Sequence, residues 1–226
     1  MDKVALVVAG GKGMRMGASI SKQYLLLGGK PVLMHTLEVF YRTDPSIQVY
    51  LVLPAEDFTF WKGLCREHQF EIPHRLVAGG NSRFQSVKNG LLALSLNQGL
   101  VAIHDGVRPF VSPKVIQEGF SLAQTAGSAI PVLPLKDSLR QVPQDGSSRF
   151  VDRKDFRLVQ TPQTFQLDKI REAFGTEELP IFSDDATVYE HQGWELSLFE
   201  GNLENIKLTT PEDLVYADFM ISKKNV

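Results

Sequence analysis

Residues 4–9, Val-Ala-Leu-Val-Val-Ala, are apolar without a break and lead straight into Gly10-Gly11-Lys12-Gly13-Met14-Arg15-Met16-Gly17. A strand with one wet face alternates apolar and polar side chains. An unbroken run is buried on both faces, as in a parallel sheet covered by helices. The glycines that end the run let backbone N–H groups come close to an anion, and phosphates bind at such turns. The opening of the chain therefore points to an α/β architecture with a ligand site at the end of its first strand.

The remaining sequence repeats the alternation. Strands are expected at 49–53, 74–78, 100–104 and 128–133, and helices at 31–41, 56–69 and 82–96. Pro31 suits the first position of its helix, and Ser112-Pro113 reads as an N-cap followed by a first-turn proline. Five rounds of strand and helix argue for one mostly parallel α/β sheet. The pattern breaks at 134–165, where Pro134, Pro143, Gly146 and Pro162 accompany short alternating stretches. That segment is expected to leave the body as a hairpin arm with an adjoining stretch. Helices return at 167–174 and 184–191, strands at 195–199 and 205–208, and Thr210-Pro211-Glu212-Asp213 caps a last helix. The 226 residues suit a single domain, 1–226.

Composition excludes several classes. Lys and Arg number 24 against 26 Asp and Glu, a net charge of −2 that gives no field for nucleic acid. Cys65 is the sole cysteine, so a monomer has no disulfide and no cysteine-cluster zinc site. No apolar stretch approaches a signal-peptide core or a membrane helix. A soluble protein of a reducing compartment such as the cytoplasm is expected, with no nucleic acid or membrane partner.

Two familiar phosphate loops fail at the first turn. The dinucleotide fingerprint needs glycine where Met16 stands, and no Gly-Lys-Ser/Thr closes a Walker loop. What remains is a glycine loop carrying cations: Lys12, Arg15 and then Lys22 within Ser21-Lys22-Gln23. A tight turn with solvated charges is the bland alternative. AGGKGMRMG (9–17) followed by SKQY (21–24) resembles the signature of nucleotidyltransferases that activate sugar and polyol phosphates. HDGVRPF (104–110), VDR (151–153), QTPQTF (160–165), SDDA (183–186) and NIKLTTPEDL (205–214) narrow this. Together they resemble the 2-C-methyl-D-erythritol 4-phosphate cytidylyltransferase family of the non-mevalonate isoprenoid pathway.

The resemblance implies a Rossmann-like fold and transfer of CMP from CTP to 2-C-methyl-D-erythritol 4-phosphate, with release of pyrophosphate. A phosphate monoester is already largely ionised near neutral pH, so the attack needs positioning and positive charge rather than a general base. By resemblance, Arg15, Lys22, Arg153 and Lys207 are the catalytic cations. Gly10, Gly11, Gly13, Gly79, Gly80, Asn81, Ser86 and Asp105 would hold CTP. Asp105, Arg108, Ser138, Arg153, Thr161, Ser183 and Lys207 would meet the polyol phosphate. Mg²⁺ would be carried mainly on the CTP phosphates, with no dedicated metal ligands in the protein. The arm would cross to a second subunit in a homodimer and deliver Arg153 to the partner's site.

Simpler readings stand beside these roles. Asp105 can merely cap a turn, Gly79-Gly80-Asn81 can be a turn before an N-capped helix, and Lys207 can be an outward charge on a strand. The chain also departs from the family pattern. Gly106-Val107 replaces a pair of alanines, Asn81 replaces an acidic residue, and Ser138 and Ser183 replace threonines with the hydroxyl kept. A ribitol 5-phosphate cytidylyltransferase and a non-catalytic nucleotide-binding protein of the same fold are the alternatives.

Overall fold

A computed structural model describes residues 1–10 and 20–224. In chain order, β1 (Lys3–Val8) is followed by the short strands β2 (Leu26–Leu27) and β3 (Lys30–Pro31), then α1 (Val32–Thr43) and β4 (Gln48–Leu53). Next come α2 (Phe58–Glu67), β5 (Arg75–Ala78), α3 (Arg83–Ala93), β6 (Leu100–Asp105), α4 (Pro113–Ala126) and β7 (Ser128–Pro134). A hairpin of β8 (Leu139–Gln141) and β9 (Arg149–Val151) leads to β10 (Arg157–Val159) and β11 (Gln163–Gln166). The chain ends with α5 (Leu167–Ala173), α6 (Asp185–Glu190), β12 (Leu198–Glu200) and α7 (Pro211–Lys224).

The central sheet runs β5-β4-β1-β6-β11-β7. The pairs β4–β5, β1–β4 and β1–β6 are parallel, and β11 enters antiparallel between β6 and β7. Val132 of β7 pairs with Val159 of β10 and with Glu200 of β12, so those two strands take its opposite edges.

The unbroken apolar strands are explained by two cores, one on each face. Along β1, Ala5 and Val7 point to one side and Val4 and Leu6 to the other. The same alternation holds in β4, with Leu51 against Tyr50 and Val52, and in β6, with Ala102 against Val101 and Ile103. One face meets Leu33, Leu37 and Phe40 of α1, Trp61 of α2 and Phe120 of α4. The other meets Phe84, Val87 and Leu91 of α3 and Ile170 of α5. A third cluster joins Leu27, Val32, Val107, Phe110, Leu208 and Ala217, and fixes α7 over β2 and the turn after β6. Among the described residues no helix is long and apolar enough to cross a membrane.

The helix caps follow the sequence. Ser82 accepts from Gln85 N–H, Ser112 accepts from Val115 N–H with Pro113 in the first turn, and Asp184 and Thr187 form a capping box. Three expectations are revised. Pro31 is the N-cap of α1 and pairs in β3, so it stands one place before the first helical turn. The segment 205–208 is not a strand; Leu208 N–H donates to Val107 O and the run makes no ladder. The segment 134–165 leaves the sheet over its middle alone. The β8–β9 hairpin forms its own two-stranded sheet, whereas β10 and β11 return to the central one.

Gly99, which leads into β6, has φ +146°, and a Cβ there would stand 2.8 Å from Asp2 O. Neither the backbone conformation nor the neighbouring carbonyl can give way, because Asp2 O also accepts from Leu100 N–H. Gly99→Ala is expected to destabilise the fold by about 1–3 kcal/mol. Denaturant unfolding checks this, and a midpoint equal to wild type contradicts the assignment.

Candidate active site

The parallel strands β1, β4, β5 and β6 end on one edge of the sheet, where open α/β sheets bind ligands. A cavity of about 570 Å³ opens there. Its wall follows those four ends: Val8 to Gly10 at the end of β1, Pro54 to Glu56 after β4, Gly79 to Ser82 after β5, and Asp105 at the end of β6. Lys22, Gln23, Arg83, Ser86, Val107 and Lys207 complete it.

On its wall one carboxylate meets three cations. Asp105 lies 3.0 Å from Lys207 Nζ, 3.3 Å from Arg108 Nε and 3.7 Å from Arg83 Nε. The turn after β6 makes the second contact. Gly106 N–H bonds to Val8 O and Arg108 N–H to Asp105 O, which folds Arg108 back onto Asp105. A Cβ on residue 106 would stand 2.7 Å from Ala9 Cβ, so this tight approach suits the glycine. Burial works against the charge of Asp105. Arg83, Lys207 and Arg108 outweigh it and hold the carboxyl well below the ordinary carboxylate range.

Arg83 is clamped from the far side. Its two terminal nitrogens donate to Asp185 at 2.8 and 2.6 Å, a bidentate pair with a fully buried carboxylate. Burial opposes the guanidinium charge, but Asp185 and then Asp105 raise its affinity for the proton. Arg108 Nη1 donates to Asn205 O at 2.8 Å, and Asn205 Nδ2 donates to Thr161 O at 2.7 Å. Lys207 is held nearby by its neighbour Leu208, which is buried in the third cluster. Its own side chain stays 41% exposed.

The expected residues divide into groups. Gly10, Lys22, Gly79, Gly80, Asn81, Ser86, Asp105 and Lys207 line the cavity. Arg108 stands behind Asp105. Gly11, Gly13 and Arg15 lie outside the described residues. Thr161 is 5% exposed and sits behind Asp105, away from the cavity wall, with its hydroxyl accepting Asp105 N–H at 3.1 Å. Ser183 is exposed, directly before the α6 cap. Ser138 and Arg153 are exposed on the arm, where Arg153 Nη1 donates to Lys136 O, and neither lines the cavity of its own chain. Both N–H groups of the glycine pair are already engaged, Gly79 with Leu53 O at 2.8 Å and Gly80 with Ser86 Oγ at 3.0 Å. Gly80 O also lies 3.4 Å from Ser86 Oγ, and carbonyl oxygens keep a second lone pair that can meet a base.

Arg83, His104 and Asp185 were not singled out by the sequence. A signal for Arg83 existed: a cation in the first turn of a helix opposes the helix dipole and calls for acidic partners. Among the described residues no three His, Cys, Asp or Glu side chains converge to hold a metal ion.

The family model for 2-C-methyl-D-erythritol 4-phosphate cytidylyltransferase (IspD) matches residues 3–223. The enzyme of that name from Bacteroides fragilis is 51% identical, over 98% of this chain and 100% of its own. The one from Bacteroides thetaiotaomicron is 50% identical, over 95% and 97%. A crystal structure of the Thermus thermophilus enzyme superposes with a TM-score of 0.76 at 34% identity, covering 98% of this chain and 100% of the other. The 4-diphosphocytidyl-2C-methyl-D-erythritol synthase of Anaerococcus prevotii gives 0.83 at 27% identity, covering 97% and 95%.

Asp105→Asn leaves Arg83, Arg108 and Lys207 converging without their shared counter-charge. It is expected to cost about 3 kcal/mol near neutral pH, as breaking a buried ion pair does. The folded carboxyl titrates below its unfolded value of about 3.9. Its contribution is therefore complete above about pH 4 and is lost as pH falls further. Thermal melts across pH should show a flatter acid limb for the variant, and parallel limbs would contradict this account of Asp105.

Proposed function

We infer the reaction from one premise: the chain belongs to the 2-C-methyl-D-erythritol 4-phosphate cytidylyltransferase family. It is a nucleotidyltransferase that transfers CMP from CTP to 2-C-methyl-D-erythritol 4-phosphate, forming 4-diphosphocytidyl-2-C-methyl-D-erythritol and pyrophosphate. An oxygen of the substrate phosphate attacks the α-phosphorus of CTP. The bond from that phosphorus to the bridging oxygen breaks, and pyrophosphate leaves with the electron pair. No proton has to be removed from the nucleophile, because a monoester phosphate is largely ionised near pH 7.

The observation that carries the residue roles is the cation cluster around Asp105 on the wall of a glycine-lined cavity. Two anionic substrates repel each other, so the protein must hold them together and stabilise the charge that builds at the α-phosphorus and the leaving group. Lys22 and Lys207, on the cavity wall, meet phosphate oxygens of the two substrates. Arg15, from the glycine loop, joins them at the triphosphate. Asp105 aligns Lys207 and Arg108 and offers an acceptor to a polyol hydroxyl. The carbonyls of Gly79 and Gly80 suit the exocyclic amino group of cytosine, and Asn81 and Ser86, on the same wall, would meet ribose and base. Mg²⁺ fits as an ion that arrives on the triphosphate, its ligands drawn mostly from phosphate oxygens and water. When bound, it would neutralise phosphate charge.

The arm completes the site in a homodimer. The β8–β9 hairpin carries exposed Val142 and Phe150, with Phe156 exposed just beyond it, and Ser138 and Arg153 lie off their own chain's cavity. A two-fold partner would bring a second arm to each site.

Pyrophosphate release from CTP, Mg²⁺ and 2-C-methyl-D-erythritol 4-phosphate tests the reaction, with ribitol 5-phosphate in a parallel arm. Turnover is expected with the erythritol phosphate, and a preference for ribitol 5-phosphate would reassign the substrate. Lys22→Ala and Lys207→Ala should each lower kcat/KM by roughly 10² or more, the size of one lost transition-state charge contact. Near-wild-type turnover removes that residue from the catalytic set.

Complementation tests the shared site. Lys22→Ala and Arg153→Ala, each inactive alone, are unfolded and refolded together. Random pairing makes about half the dimers mixed, and each mixed dimer has one site free of both lesions, so about a quarter of wild-type activity should return. A mixture as inactive as its parents places Arg153 outside the neighbour's site.

A further inference from the structure

His104 is fully buried at the end of β6, one residue before Asp105, and the reaction just described gives it no task. Its Nε2 lies 3.0 Å from Arg108 O, and its Nδ1 lies 3.0 Å from Thr161 Oγ1. The chemistry of these partners fixes the protons. A backbone carbonyl can only accept, so Nε2 carries the hydrogen and Nδ1 is the acceptor. Thr161 Oγ1 accepts Asp105 N–H, so its own hydrogen is free to go to Nδ1. The result is a directed chain: Asp105 N–H to Thr161 Oγ1, Thr161 O–H to His104 Nδ1, and His104 Nε2–H to Arg108 O.

The chain closes on the third charged residue. Thr161 O accepts from Asn205 Nδ2 at 2.7 Å, Asn205 O accepts from Arg108 Nη1 at 2.8 Å, and Lys207 follows two residues later. The backbones bearing Asp105, Arg108 and Lys207 are thus joined through buried neutral side chains. Burial pushes the His104 imidazole down to about 4, so the ring stays neutral and keeps one donor and one acceptor across the neutral range. Phe40 packs edge-on against the ring, with centroids 5.2 Å apart, and limits its rotation.

We propose that Thr161 and His104 are positioning residues that set the register of Asp105, Arg108 and Lys207, and that the Thr161 hydroxyl acts through this chain rather than on the substrate. The proposal rests on the reaction assigned above. Removing the hydroxyl while keeping the side-chain shape leaves Asp105 N–H and His104 Nδ1 without partners and frees the turn 105–108 to shift. A misplacement of this kind acts on the transition state more than on ground-state binding.

Two measurements on the full-length chain test it. The first needs no variant: ¹⁵N spectra of the histidine rings in the wild-type protein. His104 is expected to show a proton on Nε2, a bare Nδ1, and no titration above about pH 5. A proton on Nδ1, or titration near 6.5, overturns the proposal. The second is kinetic. Thr161→Val is expected to lower kcat at least about tenfold, with KM for both substrates changed less than about threefold. Thr161→Ser should be at least about ten times as active as Thr161→Val. An unchanged kcat for Thr161→Val, or a rise in KM for the polyol phosphate alone, overturns the proposal, the latter by marking a direct substrate contact. Should Thr161→Val fail to fold, an inactive Thr161→Ser overturns it equally, since the hydroxyl is then present without effect. A wild-type chain that releases no pyrophosphate defeats the assigned reaction, and the ring spectra still decide the hydrogen-bond chain.

Discussion

The site depends on one buried carboxylate that would be costly to charge by itself. Asp105 stays ionised because Arg83, Arg108 and Lys207 stand within 3.0–3.7 Å of it, and those cations remain close to one another because Asp105 is ionised. Each comes from a different part of the chain. Arg83 opens α3, Arg108 follows β6, and Lys207 sits in the extended segment before α7. The carboxylate therefore converts three unrelated pieces of backbone into one positively charged wall. Asp185 serves as a counterweight, because it fixes Arg83 with two short hydrogen bonds and leaves the third nitrogen to face Asp105.

The elements that order themselves by local chemistry were legible in the sequence. The apolar runs of β1 and β4 announced buried strands, and Ser82 and Ser112 marked helix starts by their side chains. The cavity was legible too, since Gly10 after β1, Gly79 and Gly80 after β5 and Asp105 at the end of β6 all stand where strands end on the same edge. What long-range pairing decides was not legible. The entry of β11 between β6 and β7 has no local signature, because any strand of suitable pattern can fill that gap. The run 205–208 looked like a strand from its apolar residues, yet it pairs with no strand and is held by the bond from Leu208 to Val107, by burial of Leu208 and by the bonds of buried Asn205 to Thr161 and Arg108.

The polar interior shows the same limit. Arg83 is an ordinary helix residue until Asp185, 102 positions away, is brought beside it. His104 interrupts an otherwise apolar strand, which is a visible irregularity, but its meaning lies in Thr161 and Arg108. Thr161 itself was readable as part of a motif, and the motif did not say which way its hydroxyl faces. Side-chain direction in a buried polar cluster is set by which donors lack acceptors nearby, and this is a property of the assembled fold.

The way the arm is rooted separates its size from the rest of the molecule. Pro134 at the end of β7 is paired with Arg157 at the start of β10, so the two feet of the excursion are locked on facing rungs of the central sheet. The loop is already closed at its base, and the entropy of closing a loop grows only with the logarithm of its length. Residues can be added to or taken from the hairpin tip without disturbing the pairing of β7 with β10. Reach and body are thus separable: the sheet keeps its register while the hairpin tip is open to change in length.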